Sequence, residues 1–152
     1  MRYFFEDESR FESLLAELES WAGTPFMPGA AVKGGGVDCV RFVHEVYVAV
    51  GAITPAAFPS DYVVRGGGRA MLEILEARIA SVPQLERVWH RGGEAVPICR
   101  GDMMLGSTGD AWHHLAIVAR PPVMWHCLKK VGQGNIHDPA LARRLWSVYR
   151  VR

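Results

Sequence analysis

Residues 34–51 read GGGVDCVRFVHEVYVAVG, a glycine run and an Asp-Cys pair set directly before a helical repeat. Val40, Val43, Val46, Tyr47 and Val50 recur at three- and four-residue steps while Arg41, His44 and Glu45 fall elsewhere. That spacing predicts an amphipathic helix with one face in a core. Gly51 stands where such a helix stops, and Asp38 is placed as its N-cap. Cys39 therefore falls in the first turn. There the helix dipole favours a thiolate, and unpaired backbone N–H groups point where an oxyanion would develop. A small buried thiol is the commoner fate of an arbitrary Cys, so the rest of the chain must decide between the two.

Upstream, GTPFMPGAAVKGGG carries two prolines and five glycines in fourteen residues, a composition that breaks periodic structure and reads as a loop leading into the Cys. Before it, Phe11, Leu14, Leu15, Leu18 and Trp21 predict a first helix over 7–21, ending near Gly23. Downstream, 52–68 is rich in proline and glycine and reads as irregular, and RAMLEILEARIA predicts a third helix that ends before Pro83. Beyond Glu94 the pattern changes to short β-branched and aromatic runs, GDMML, HHLAIVA, VMWHCL and RLWSVYRV, separated by Gly, Pro and Asp. Helices followed by strands predict an α+β domain, N-terminal helices packed on an antiparallel sheet.

The chain has 152 residues, 49% of them apolar, which is enough for one core and predicts a single domain over 1–152. Its formal charge of +1 and its dispersed arginines give no broad nucleic-acid footprint. No segment is long and apolar enough to span a bilayer, and MRYFFEDESR carries acids early and does not read as a signal peptide. Synthesis in the cytoplasm is the expectation. Three cysteines at irregular spacing, Cys39, Cys99 and Cys127, argue against a disulfide framework.

In WHHLAIVARPPVMWHCL, two strand-like runs flank a Pro121-Pro122 turn and carry His114 at the start of one and His126 in the next. As antiparallel neighbours they would place both imidazoles at one end of the sheet, in the order nucleophile, base and orienter that a Cys39 hydrolase requires. His113 rivals His114 as the base, because alternation sends the two to opposite faces and spacing does not choose. Alternation also splits His126 from Cys127, and no C-x-x-C or H-x-x-x-H spacing is present, so a zinc site is disfavoured; no metal or cofactor is expected. Cys127, Cys99, His44, His137, Trp125 and Trp146 read as core or surface residues, as does Trp112. Asp102 and Asp110 read as turn caps.

Trp21-Gly23-Thr24-Pro25, then Gly36-Val37-Asp38-Cys39 before an apolar helix, Gly101-Asp102 before a strand, and His114-Leu115-Ala116-Ile117-Val118 occur in this order. Together they resemble the NlpC/P60 family of papain-like cysteine peptidases, from about Trp21 to the C-terminus, with 52–96 matching poorly and read as a helical and loop insertion. The resemblance implies Cys39 as nucleophile, His114 as base and His126 as the polar residue that orients it. It implies an amide-cleaving peptidase of bacterial cell-wall (murein) stem peptides acting through a thioester. Short members with a Trp-x-Gly-Thr-Pro start also resemble phage-tail cell-wall peptidases, which would make the protein virion-associated. Asp38, Val40, Arg41 and Phe26 are the candidate substrate-binding positions around the Cys. Three departures stand out: Val40-Arg41 replace the family's Ser-Gly, Phe26 replaces a Tyr, and 52–96 exceeds a minimal member. Arg41 is placed to narrow the site or to bind a substrate carboxylate. The rival reading is a non-catalytic papain-like module of a tail or wall assembly; an amidase or acyltransferase would use the same triad.

Overall fold

In the computed structural model, which describes residues 2–58, 68–108 and 113–152, each predicted helix begins at a side-chain cap or runs where the periodicity placed it. Asp7 accepts from the Arg10 amide and starts α1 (Glu8–Ser20), which buries Phe11, Leu14 and Leu18. Asp38 accepts from the Arg41 amide at 2.8 Å and starts α2 (Cys39–Ala49), whose Val40, Phe42, Val43, Val46 and Tyr47 are fully buried. Between them lies a two-residue hairpin, β1 (Ala31–Val32) with β2 (Gly36–Val37). Helix α3 spans Gly68–Ala80.

The main sheet holds β3 (Leu85–His90), β4 (Met103–Gly106), β5 (His114–Val118), β6 (Val123–Cys127), β7 (Val131–Asn135) and β8 (Leu145–Val151), with the single turn α4 (Pro139–Ala142) before the last strand. Its order is β3-β8-β4-β5-β6-β7 and every pair is antiparallel. The fold is thus α+β, with N-terminal helices over a six-stranded antiparallel sheet.

Strand alternation divides the sheet into two apolar faces. The inner face, Met103, Leu105, Leu115, Ile117, Trp125, Cys127, Tyr149 and Val151, packs with Phe11, Leu14 and Leu18 of α1 and Phe42, Val43 and Val46 of α2 in one cluster. The outer face gathers Met104, Ala116, Val118, Met124 and Val148, with Leu141 and Leu145 packed against them. Burying both faces makes β5 apolar after His114, which is why LAIV reads as a continuous run rather than an alternating one.

Three parts of the fold differ from the sequence expectation. Segment 52–96 holds α3 but also β3, which pairs with β8 and forms an edge of the main sheet, so the segment is more than helix and loop. LERVWH hides a strand because its Glu86-Arg87 pair breaks the apolar run at a half-solvated edge. The glycine-rich loop contains the β1–β2 hairpin, and VGQGN, which two glycines disguise, forms the opposite edge strand β7.

Candidate active site

The backbone around Cys39 is held from two sides. Gly23, at φ +78°, turns the chain out of α1, and its N–H donates to the Val131 carbonyl while the Val131 N–H donates back to Thr24. Phe26 N–H donates to the Lys129 carbonyl, and Val37 N–H to the Pro25 carbonyl. These bonds stitch the start of β7 to the strand that delivers Asp38 and Cys39. Asp38 completes the clamp: fully buried, its Oδ1 caps α2 and its Oδ2 accepts from the Gly29 amide at 2.7 Å.

Strand register brings the two predicted imidazoles together. His126 lies opposite Ala116, so it shares the outer face with Ala116 and with His114 two residues away. His114 Nε2 and His126 Nδ1 are 2.9 Å apart, one ring N–H donating to the other ring's lone pair, and both rings are buried. Room for this pair comes from Gly134 on β7: a Cβ there would lie 3.1 Å from His126 Nε2 and 2.9 Å from Met124 Cε. Burial holds His126 below the usual imidazole range and the Asp138 carboxylate works against that. Burial, reinforced by the charges of His126 and His113, holds His114 at about 3, so its ring is neutral.

Cys39 is 4% exposed and belongs to the inner core cluster. The backbone N–H groups of Leu115, next to His114, and of Val40 are turned to its sulfur and favour the thiolate. Burial outweighs them, with the Asp38 carboxylate adding to it, and the thiol is pushed up to about 12. The expectation that the helix start lowers this pKa is therefore corrected: the amides are there, but desolvation of a sulfur with almost no water contact is the larger effect. His113, also buried, feels the Asp38 charge, which opposes the lowering that burial imposes on it.

The predicted substrate positions separate. Asp38 is spent on two backbone amides, and Val40 is fully buried in the inner core, so both shape the turn and neither offers a free surface to a ligand. Phe26 is half-buried against the core. Arg41 is half-exposed on the solvent side of α2, with Glu45 and Val48, and makes no side-chain ion pair among the described residues. Cys127 donates to the Val37 carbonyl at 3.4 Å and packs in the inner core. His44 is buried against the Pro55 carbonyl, 2.8 Å from Nε2, and His137 is exposed. Asp102 accepts from the Cys99 amide, as a turn cap does, and also from both Nε and a terminal nitrogen of Arg150 at 2.7 and 2.9 Å. Asp110 and Trp112 lie outside the described residues.

Three contributors to the site carry no clear sequence signal: the Leu115 amide, which any residue type would supply, Gly134 and Asp138. Asp138 is visible in part, since Asp-Pro is a helix-start signature and its Oδ1 caps α4. Glu76 is buried at the junction of α3 and β8, where Ser147 Oγ, Trp146 Nε1, Tyr149 Oη and Arg87 all donate to it. No group of three or more His, Cys, Asp or Glu side chains able to hold a metal ion occurs among the described residues.

No protein-family model matches the sequence, and none of the curated proteins compared with it matches. Solved structures do. A Staphylococcus aureus protein described as similar to a lipoprotein of the NLP/P60 family matches with a TM-score of 0.61 at 15% identity, over 95% of this chain. This chain spans only 42% of the length of that protein. The NlpC/p60 domain of the peptidoglycan hydrolase SagA matches with a TM-score of 0.53 at 19% identity, over 93% of this chain and 97% of the domain. RipD from Mycobacterium tuberculosis, a non-catalytic NlpC/p60 domain protein adapted to peptidoglycan binding, matches with a TM-score of 0.54 at 13% identity, over 96% of this chain and 98% of its own. The chain therefore has the NlpC/P60 fold, with Cys39 at the start of its central helix and His114 and His126 on its sheet.

Proposed function

We propose that the protein is a cysteine peptidase that cleaves an amide bond of murein stem peptides through Cys39, His114 and His126. The observation that supports this most is the buried His114–His126 pair, its His114 on the strand whose Leu115 amide is turned to the Cys39 sulfur. In this reading His114 donates its Nε2–H to His126 Nδ1, which leaves Nδ1 of His114 as the lone pair that receives the thiol proton. The Cys39 sulfur attacks the carbonyl carbon, the Val40 and Leu115 amides face the negative charge that develops, and the imidazolium returns its proton to the leaving amine. Water, deprotonated by the same imidazole, then attacks the thioester and frees the acid and the thiol. Thiol and imidazole are both neutral at rest, so the proton moves as the substrate arrives and not before it. Assembly into a particle such as a phage tail would carry a chain of this kind to the wall.

A second reading is favoured by one observation: the sulfur is nearly sealed and protonated, a state suited to a module that binds murein without cutting it. Mass spectrometry of purified peptidoglycan after incubation distinguishes the two. The peptidase reading expects new stem-peptide fragments with wild type and none with Cys39→Ala or His114→Ala. Co-sedimentation with peptidoglycan and no new fragment from any variant would establish the binder instead.

A further inference from the structure

The chain has only three lysines, Lys33, Lys129 and Lys130, among its 17 lysines and arginines. All three lie on two loops that are bonded to each other: Phe26 N–H donates to the Lys129 carbonyl at 2.8 Å, and Pro25 bridges to Lys130. The same loops carry three of the four exposed large apolar side chains among the described residues, Met27 at 50%, Val32 at 63% and Leu128 at 48%. Val32 lies opposite Gly36, and a Cβ on Gly36 would come within 2.7 Å of Met27 Cβ, so Met27 and Val32 share one face of the β1–β2 hairpin. No acid occurs in 22–37 or in 127–137. Lys33 pairs with Glu17 at 2.9 Å; Lys129 and Lys130 make no ion pair among the described residues.

Apolar tips flanked by uncompensated lysines suit an interface that is anionic at its surface and apolar just beneath. An acidic polymer in water would use the lysines and gain nothing from Met27, Val32 and Leu128. We infer that this surface docks peripherally on an anionic lipid bilayer, the three apolar side chains entering the headgroup region and Lys129 and Lys130 pairing with lipid phosphates. Association is peripheral, since no helix among the described residues is long and apolar enough to cross a membrane. The inference is independent of the peptidase reading and survives its failure.

Co-sedimentation of the full chain with vesicles at low salt tests it. Binding is expected to an equal mixture of phosphatidylcholine and phosphatidylglycerol and not to phosphatidylcholine alone. Lys129→Ala with Lys130→Ala weakens it by about 25-fold, at about fivefold per lysine near an anionic surface. Met27→Ser, Val32→Ser and Leu128→Ser each weaken it about fivefold, the loss expected for a half-buried apolar side chain. Ile74→Ser, at the fourth exposed apolar position and away from the patch, leaves it unchanged. Equal binding to neutral vesicles, an Ile74→Ser loss as large as the others, or vesicle binding undiminished by the three serine substitutions would each overturn the inference.

Discussion

Replacing Asp38 by Ala removes one carboxylate that does two structural jobs and one electrostatic one, and these pull in different directions. Loss of the α2 cap costs about 1 kcal/mol, within a range of about 0.5–2 kcal/mol. Loss of the acceptor for the Gly29 amide, at 2.7 Å in a part-buried setting, adds about 1–3 kcal/mol. Together the variant is less stable by about 2–4 kcal/mol, a fall in Tm of about 5–15 °C for a chain of this size. The same carboxylate holds the Cys39 thiol up, second only to burial among the effects that raise it. The destabilised variant must therefore ionise Cys39 at lower pH than wild type. Calorimetry reads the first effect, and residue-resolved alkylation by iodoacetamide across pH reads the second. Asp38→Asn, which keeps an oxygen for the Arg41 amide, loses less stability than the alanine variant. A Tm within about 2 °C of wild type, or a Cys39 thiol that ionises at higher pH in Asp38→Ala, would refute the clamp as described.

Further expectations concern the relay and the far end of the sheet. Gly134→Val displaces the His126 ring from its seat and disturbs its bond to His114, because a Cβ alone already sits 3.1 Å from His126 Nε2; in the peptidase reading murein cleavage falls, and the imidazole NMR signals of both histidines shift while the fold persists. In the peptidase reading His114→Ala lowers cleavage by about 10²–10⁴-fold, the usual contribution of a positioned base, and His126→Ala by less, since there it acts through His114. For Glu76, burial alone would raise the carboxyl, but hydrogen bonds from Ser147 and Trp146 and the charges of His90 and Arg87 hold it below the usual range. A carboxyl depressed in the folded state contributes stability that is complete above the unfolded pKa and is lost as pH falls through the folded one. Urea unfolding at neutral pH and in acid should show wild type losing more stability on acidification than Glu76→Gln, which is itself less stable by about 2 kcal/mol at neutral pH.

The helices were legible because each carries its signal locally: Asp7 and Asp38 are caps, and the apolar spacing of α1, α2 and α3 matches the face they bury. Strands β4, β5, β6 and β8 were legible as β-branched and aromatic runs. Strands β3 and β7 were not, since edge strands need only one partner and tolerate Glu86-Arg87 or two glycines. Within the candidate site, pairing His114 with His126 followed from a two-proline turn and strand alternation, both local. The state of Cys39 did not, because its pKa is set by how completely α2 and β5 exclude water, a property of packing that no spacing reveals. The same holds for Asp38, whose cap role is local but whose bond to Gly29 crosses a loop.

In the proposed mechanism the Cys39 sulfur bonds to a substrate carbonyl carbon while His114 stands beside it to move the proton. A crystal structure of the protein with a stem-peptide aldehyde tests this most directly. Expected are a covalent bond from Sγ of Cys39 to the aldehyde carbon and His114 Nδ1 within about 4 Å of the sulfur, still paired through Nε2 with His126. An aldehyde seated without a bond to Cys39, or a His114 ring turned away from the sulfur in that complex, would contradict it.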